Sequence, residues 1–241
     1  MFSGKTYWLI GASEGLGRAL AGLMADEGAR MILSARNAAR LKELASSLPG
    51  ARALPMDVTD DGSVAAAVLA LGPIDGVIYC AGAYEPMAAQ NLNAAAALLV
   101  SEVNFTGALR ALAPVVPVMA ARGEGHIVLI GSLAGFRGLP GAISYGASKA
   151  ALMHLAENLY MDLSGSGVKV QQVNPGFIKT RLTDKNAFDM PYIITPEEAA
   201  RRTLNAMKSR RFATSYPWQM AAFFRLGALM PIRWFRRLMG A

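Results

Sequence analysis

The chain of 241 residues predicts an α/β protein built on a doubly wound parallel sheet of about seven strands. Three observations carry this expectation. Short apolar segments of strand length alternate with longer segments of helical periodicity from residue 6 to residue 215. A cluster of glycines stands where the first apolar segment gives way to the first helical one. Hydrophobic residues make up 53% of the chain, enough to cover a sheet on both faces.

The elements follow in order. Residues 6–11 read as a buried strand and residues 16–27 as a helix, with Gly28 as a helix stop. Residues 29–35 form the second strand, 38–47 the second helix, 51–56 the third strand, 62–71 the third helix and 76–80 the fourth strand. Residues 91–118 are a long helical stretch, interrupted or ended near Pro114 and Pro117. Residues 126–131 are the fifth strand, 144–164 a helix, 168–174 the sixth strand, 196–209 a helix and 212–215 a short last strand. No linker, low-complexity tract or repeat interrupts the series, and ligands of such sheets bind at the carboxyl ends of the strands.

Charge and cysteine usage narrow the function classes. The formal charge is +7, yet nine of the 24 Lys and Arg residues lie from Ala199 onward, where there is no Asp or Glu. The preceding residues carry 15 basic side chains against all 17 acidic ones, so a nucleic-acid-binding body is not expected. Cys80 is the only cysteine, which excludes an intramolecular disulfide and fits a reducing, cytoplasmic setting. The first residues lack the pattern of a secretory signal. The two histidines, His126 and His154, lie away from every motif, so no metal site is expected and each reads as a packing or surface residue.

Two constellations carry chemistry. The first is Ile10-Gly11-Ala12-Ser13-Glu14-Gly15-Leu16-Gly17-Arg18, at a strand-to-helix junction. Glycines there allow a tight turn and bring backbone amides against a pyrophosphate at a helix N-terminus. Taken alone, the same glycines can be purely structural. The second strand ends in Ser34-Ala35-Arg36-Asn37, with Ala35 where an acid would bind the ribose of NAD and Arg36 next. A guanidinium suits a 2′-phosphate, which favours NADP, with NAD as the alternative; the plain reading of Arg36 is a solvated loop arginine. Glu14 offers no second cation at that end and opposes the phosphate. The second constellation is Tyr145 and Lys149, four apart and so on one helix face. A fixed cation beside a phenol favours the phenolate and lowers its pKa, which makes the pair a proton donor to a carbonyl or acceptor from an alcohol.

With these residues in place the chain resembles the short-chain dehydrogenase/reductase family, over roughly residues 5–200. Gly11, Gly15 and Gly17, with Ser13, Glu14 and Leu16, match its cofactor turn, and Asp57-Val58 its contact to the adenine ring. Ala81-Gly82 match the second half of its Asn-Asn-Ala-Gly signature, and Pro175-Gly176, Ile178 and Thr180 the segment that binds the nicotinamide carboxamide. Asn104, Ser132, Tyr145 and Lys149 match its catalytic tetrad in order and approximate spacing. The resemblance implies a Rossmann-like fold and hydride transfer between an NADP nicotinamide and a carbonyl or alcohol. In that reaction Tyr145 passes the proton, Lys149 holds the ribose hydroxyls, Ser132 bonds the substrate oxygen and Asn104 holds a relay water. The plain readings are a strand-end cap for Ser132 and a helix kink or polar core contact for Asn104. One departure stands out: Tyr79-Cys80 replaces the usual asparagine pair, whose amides help tie the sheet together.

Residues 1–211 are expected to form one catalytic domain. Residues 212–241 add the last strand and a C-terminal extension. Residues 181–194 follow the nicotinamide segment as a substrate lid and mix Leu182, Phe188, Met190, Pro191 and Tyr192 with Asp184, Lys185 and Asp189, which suits an apolar ketone or acyl chain. Phe136, Leu139 and Ile143 add an apolar wall or simply pack their loop. After Pro231, Ile232, Phe235 and Leu238 share one helix face, and Arg233, Arg236 and Arg237 another. Such a basic amphipathic helix suits a membrane surface, the substrate cleft or a second subunit. The resemblance further implies a homodimer or homotetramer built through residues 91–118 and 144–164. A non-catalytic NADP-binding sensor and an epimerase or dehydratase of nucleotide sugars are the rival functions.

Overall fold

The computed structural model describes residues 1–240. Seven strands lie in the order β3-β2-β1-β4-β5-β6-β7, and every pair is parallel. They are β1 (Thr6–Ile10), β2 (Arg30–Ser34), β3 (Arg52–Ala53), β4 (Gly76–Tyr79), β5 (Gly125–Ile130), β6 (Val168–Pro175) and β7 (Ala213–Tyr216). The central strands are apolar along their length because both faces are covered. On one face Leu9, Leu33, Ile78 and Val128 pack against helices α1 (Gly15–Asp26), α2 (Ala38–Ser47) and α8 (Pro196–Lys208). On the other, Trp8, Val77, Tyr79 and Leu129 pack against α3 (Asp61–Leu71), α5 (Gly107–Leu112) and α7 (Ile143–Asp162). The alternation of neighbours such as Trp8 and Leu9 between the two cores is the strand period of two.

Local chemistry sets the helix starts. Asn37, Asp60, Asn93 and Thr195 each accept a backbone N–H three residues on, capping α2, α3, α4 (Ala94–Ser101) and α8. The third strand is shorter than its sequence suggests, because it lies at the sheet edge. Beyond Ala53 only isolated bonds continue, from Leu54 N to Leu33 O and from Met56 N to Ala35 O.

Residues 91–118 are not one helix. α4 leads into a π-helical turn, Glu102–Thr106, and on into α5; the chain then breaks around Pro114 and restarts as α6 (Val116–Arg122). Pro117 sits in the first turn of α6, where no backbone donor is needed, so it starts a helix rather than ending one.

Two helices follow the sheet, α9 (Trp218–Leu229) and α10 (Ile232–Leu238). Met220, Phe224 and Phe235 form a third apolar cluster with Leu133, in the loop after β5. Phe235 lies on Gly227, where an added Cβ would come within 2.5 Å of its ring. Arg137 reaches over that ring and donates to Met230 O at 2.6 Å. The expected apolar face of α10 is therefore only partly realised: Phe235 is buried, while Ile232 and Leu238 stay exposed.

Candidate active site

The carboxyl ends of β1, β2, β4, β5 and β6 open on one cavity of about 620 Å³. Gly11, Ser13, Glu14, Gly15, Leu16 and Gly17 line one end, with Arg36, Asp57 and Val58 beside them. Ala81, Gly82, Tyr145, Lys149, Pro175, Gly176, Ile178 and Thr180 line the rest. Every residue that the sequence marks as cofactor-binding thus meets in one space, although they come from six separate segments.

The turn after β1 is built for close approach. Gly11 has φ +95°, and an added Cβ would lie 2.5 Å from Ala81 N; at Gly17 it would lie 2.0 Å from Gly11 O. These two glycines are demanded by the protein itself. Gly82 is different, since a Cβ there meets nothing nearer than Asn104 Oδ1 at 3.7 Å. What a side chain would fill at Gly82 is cavity. Helix α1 starts at this turn with no side-chain cap on its first amides, which leaves them free for an anion. A dinucleotide fits this donor set.

The adenosine end corrects one expectation. Glu14 is not an isolated anion: its carboxylate accepts from Arg40 at 2.7 Å and from Arg181 at 2.7 Å. Arg40 lines the cavity with Arg36 and is the second cation that the sequence reading missed. Its place in the first turn of α2, close behind Arg36 and the Asn37 cap, was the available signal.

At the other end stand the four tetrad candidates. Ser132 is buried at the end of β5, where its Oγ accepts from Ala134 N at 3.1 Å; the cap reading is realised beside the functional one. Tyr145 lies along the cavity in α7. Burial around its hydroxyl raises its pKa, the nearby Ser132 hydroxyl lowers it, and Tyr84 raises it. This reverses the expected direction for the protein alone. Burial moves the Lys149 ammonium down to about 8, with Cys80 acting weakly the other way, and Nζ donates to Ile130 O at 2.8 Å. Asn104 is fully buried inside the π turn. Its Oδ1 accepts from Ala83 N at 2.7 Å, and its Nδ2 donates to Ala83 O and to Ser148 Oγ. With both amide protons used, a water beside Asn104 has only carbonyl oxygens to bond. Among the described residues no cluster of His, Cys, Asp and Glu has metal-site geometry.

Residues 5–190 match the family model for short chain dehydrogenases. The chain belongs to the short-chain dehydrogenase/reductase family. It is an NAD(P)-dependent oxidoreductase. An uncharacterized oxidoreductase of Myxococcus xanthus is 35% identical over 235 residues, spanning 94% of this chain and 93% of that protein. Among solved structures, a short chain dehydrogenase of Burkholderia cenocepacia in complex with NADP is 25% identical, with a TM-score of 0.88 over 100% of this chain and 99% of that one. A short chain dehydrogenase/reductase of Burkholderia phymatum in complex with NAD is also 25% identical, with a TM-score of 0.84 over 93% of each chain.

This dehydrogenase departs from the family's paired asparagines in an orderly way. Tyr79 is fully buried and its hydroxyl donates to Val103 O at 2.5 Å. Burial pushes the Cys80 thiol up to about 11, so it is a poor nucleophile although it lies just past the end of β4 on the cavity wall. The segment expected as a lid is anchored by Tyr84, which the sequence reading did not single out. Tyr84 Oη donates to Asn186 Oδ1 at 2.7 Å, and Lys185 Nζ donates to Tyr84 O at 3.0 Å and pairs with Glu85.

Proposed function

We propose that this dehydrogenase is an NADP(H)-dependent enzyme acting on the carbonyl or secondary alcohol of an apolar substrate, such as a ketone, a 3-oxoacyl group or a steroid-like lipid. The observation that carries the reading is the cavity itself, which joins the glycine turn and Arg36 at one end to Tyr145 and Lys149 at the other.

The nicotinamide, when bound, supplies or takes the hydride. In reduction Tyr145 gives its phenolic proton to the oxygen of the carbonyl as that oxygen becomes an alkoxide; in oxidation it takes the proton back. Ser132 donates to the same oxygen. Lys149 would hold the ribose hydroxyls, and the Ser132 hydroxyl offsets part of the burial that raises the Tyr145 pKa. Asn104 holds the water through which Tyr145 regains its proton. NADP rather than NAD is supported by the absence of an acid at the end of β2 and by two arginines, Arg36 and Arg40, on that wall. An apolar substrate is supported by the cluster of Leu133, Phe136, Leu139, Phe177 and Met220 next to Ser132 and Gly176.

Two surfaces fit partners. Leu98, Leu99 and Leu109, with Tyr160 and Met161 of α7, stay exposed and suit a second copy of the chain in a homodimer or homotetramer. Trp218, Leu226, Leu229, Trp234 and Leu238 are exposed among Arg225, Arg233, Arg236 and Arg237 and suit peripheral contact with an anionic membrane from the cytoplasmic side. Nothing in the body's charge suits nucleic acid.

The test is NADPH consumption against apolar ketones, 3-oxoacyl thioesters and sugars. Turnover confined to the first two classes, and lost at least 1000-fold in Tyr145→Phe with NADPH binding retained, is the expected result. Full turnover by that variant overturns the reading, and no turnover with any substrate points to the sensor.

A further inference from the structure

Cys80, Ala81 and Gly82 form the cavity wall between the two ends of the site. The segment is fastened on both sides to one place. On one side the Tyr79 hydroxyl donates to Val103 O at 2.5 Å. On the other the Ala83 backbone exchanges bonds of 2.7 and 3.0 Å with the Asn104 amide. Val103 and Asn104 are neighbours inside the π turn Glu102–Thr106. We infer that Tyr79 is a positioning residue for Asn104, closing a two-point clamp between the cavity wall and the π turn.

The chemistry suits a fixed tether. A π turn interrupts the α-helical ladder and marks functional sites in other proteins. A buried carbonyl there benefits from a second donor, and burial raises the Tyr79 pKa so far that the hydroxyl remains a donor at every physiological pH. The site is also shaped for this ring. At Gly107, just past the turn, an added Cβ would lie 2.8 Å from Tyr79 Oη and 2.8 Å from Val58 Cβ. Glycine there is what admits the phenol. The asparagine usual in the family ties the sheet to itself. A tyrosine reaches out of the sheet to the helix that carries Asn104.

The inference rests on the proposed relay role of Asn104, so it is tested by two independent readouts. Tyr79→Phe keeps the ring and removes the hydroxyl. We expect kcat to fall about 10-fold, which is the loss of roughly one such hydrogen bond, with the NADPH dissociation constant changed less than 3-fold. Because Tyr79 acts through Asn104, Tyr79→Phe placed on Asn104→Ala should cost no further activity. Hydrogen exchange at residues 102–106 should quicken in Tyr79→Phe, a readout that needs no turnover at all. Gly107→Ala, which crowds the same hydroxyl, should show the same faster exchange. A wild-type kcat in Tyr79→Phe, a loss additive with that of Asn104→Ala, or unchanged exchange in both Tyr79→Phe and Gly107→Ala would each overturn the clamp. If the wild-type chain turns over no substrate, the enzymatic reading fails while the exchange experiment still decides whether the clamp exists.

Discussion

The ring of Tyr84 stands edge-on to the ring of Tyr145, with centroids 5.0 Å apart and planes at 76°. The same residue holds the proposed lid through Asn186. Its two halves therefore have separable effects. Tyr84→Phe should raise the substrate KM roughly 3- to 10-fold with little change in kcat, since one hydrogen bond to the lid is lost. Tyr84→Ala also removes the ring packed on Tyr145, and with it part of the burial that raises the Tyr145 pKa. In the proposed reduction Tyr145 works protonated, so the basic fall of kcat should then begin at lower pH. A pH profile of Tyr84→Ala that overlays the wild type would show that the ring does not act on the phenol.

Arg36 and Arg40 share the adenosine wall, and Glu14 holds Arg40. Arg36→Ala should lower kcat/KM with NADPH about 10- to 100-fold and change that with NADH by less than about 3-fold, because only the former loses a charge-assisted bond. Glu14→Gln removes an anion and frees Arg40, so KM for NADPH should fall. Equal losses with both cofactors in Arg36→Ala would remove the case for NADP.

His126 lies in a closed chain of bonds far from the cavity. Gln171 Nε2 donates to three backbone carbonyls, so Gln171 Oε1 accepts from His126 Nε2 and Tyr7 donates to Nδ1. The ring is held neutral, and burial lowers its pKa to about 4. The unfolded chain takes up this proton near its ordinary pKa of about 6.5. Stability from His126 is therefore complete above that pH and is lost as pH falls towards 4, by on the order of 3 kcal/mol. Thermal melts of the wild type and His126→Gln between pH 7 and pH 4, taken as about the window of those two pKa values, should diverge, with the variant flatter. Parallel curves would refute this.

Gly227 admits the Phe235 ring. Gly227→Ala should displace α10 and cost about 1–3 kcal/mol, as overpacking does. The shift would reach Leu133 and so the proposed substrate wall, which a raised KM would report.

The arginines of α10 give the tail its charge. Arg233→Glu, Arg236→Glu and Arg237→Glu together should abolish co-sedimentation with anionic vesicles and leave NADPH turnover in solution unchanged. Equal sedimentation of this variant and the wild type would exclude the tail as a membrane contact.

The cofactor turn and the Tyr145–Lys149 pair were legible in the sequence because their information is local: a glycine spacing, a helical repeat, an alternation of apolar segments. What escaped it is long-range. Glu14 and Arg181 meet across 167 positions, and Tyr84 meets Asn186 across 102. The direction of the Tyr145 pKa was misjudged for a related reason. A neighbouring lysine can be read from spacing, whereas burial depends on the whole fold. The break expected near Pro114 and Pro117 is there, but the restart just past it was not legible, because proline both ends helices and begins them.

The sheet order has a consequence for how the chain is made. Trp8 of β1 pairs with Ile32 on one side and with Val77 on the other. Among the described residues no strand pair is a hairpin, so each ladder waits for a long crossover to be synthesised and closed. At about 5–20 residues per second of translation, the second edge of β1 stays bare for on the order of 4–14 s after that strand emerges. A bare apolar edge is a template for other chains. Production of this protein should therefore depend more on chaperone supply during synthesis than on the stability of the finished fold.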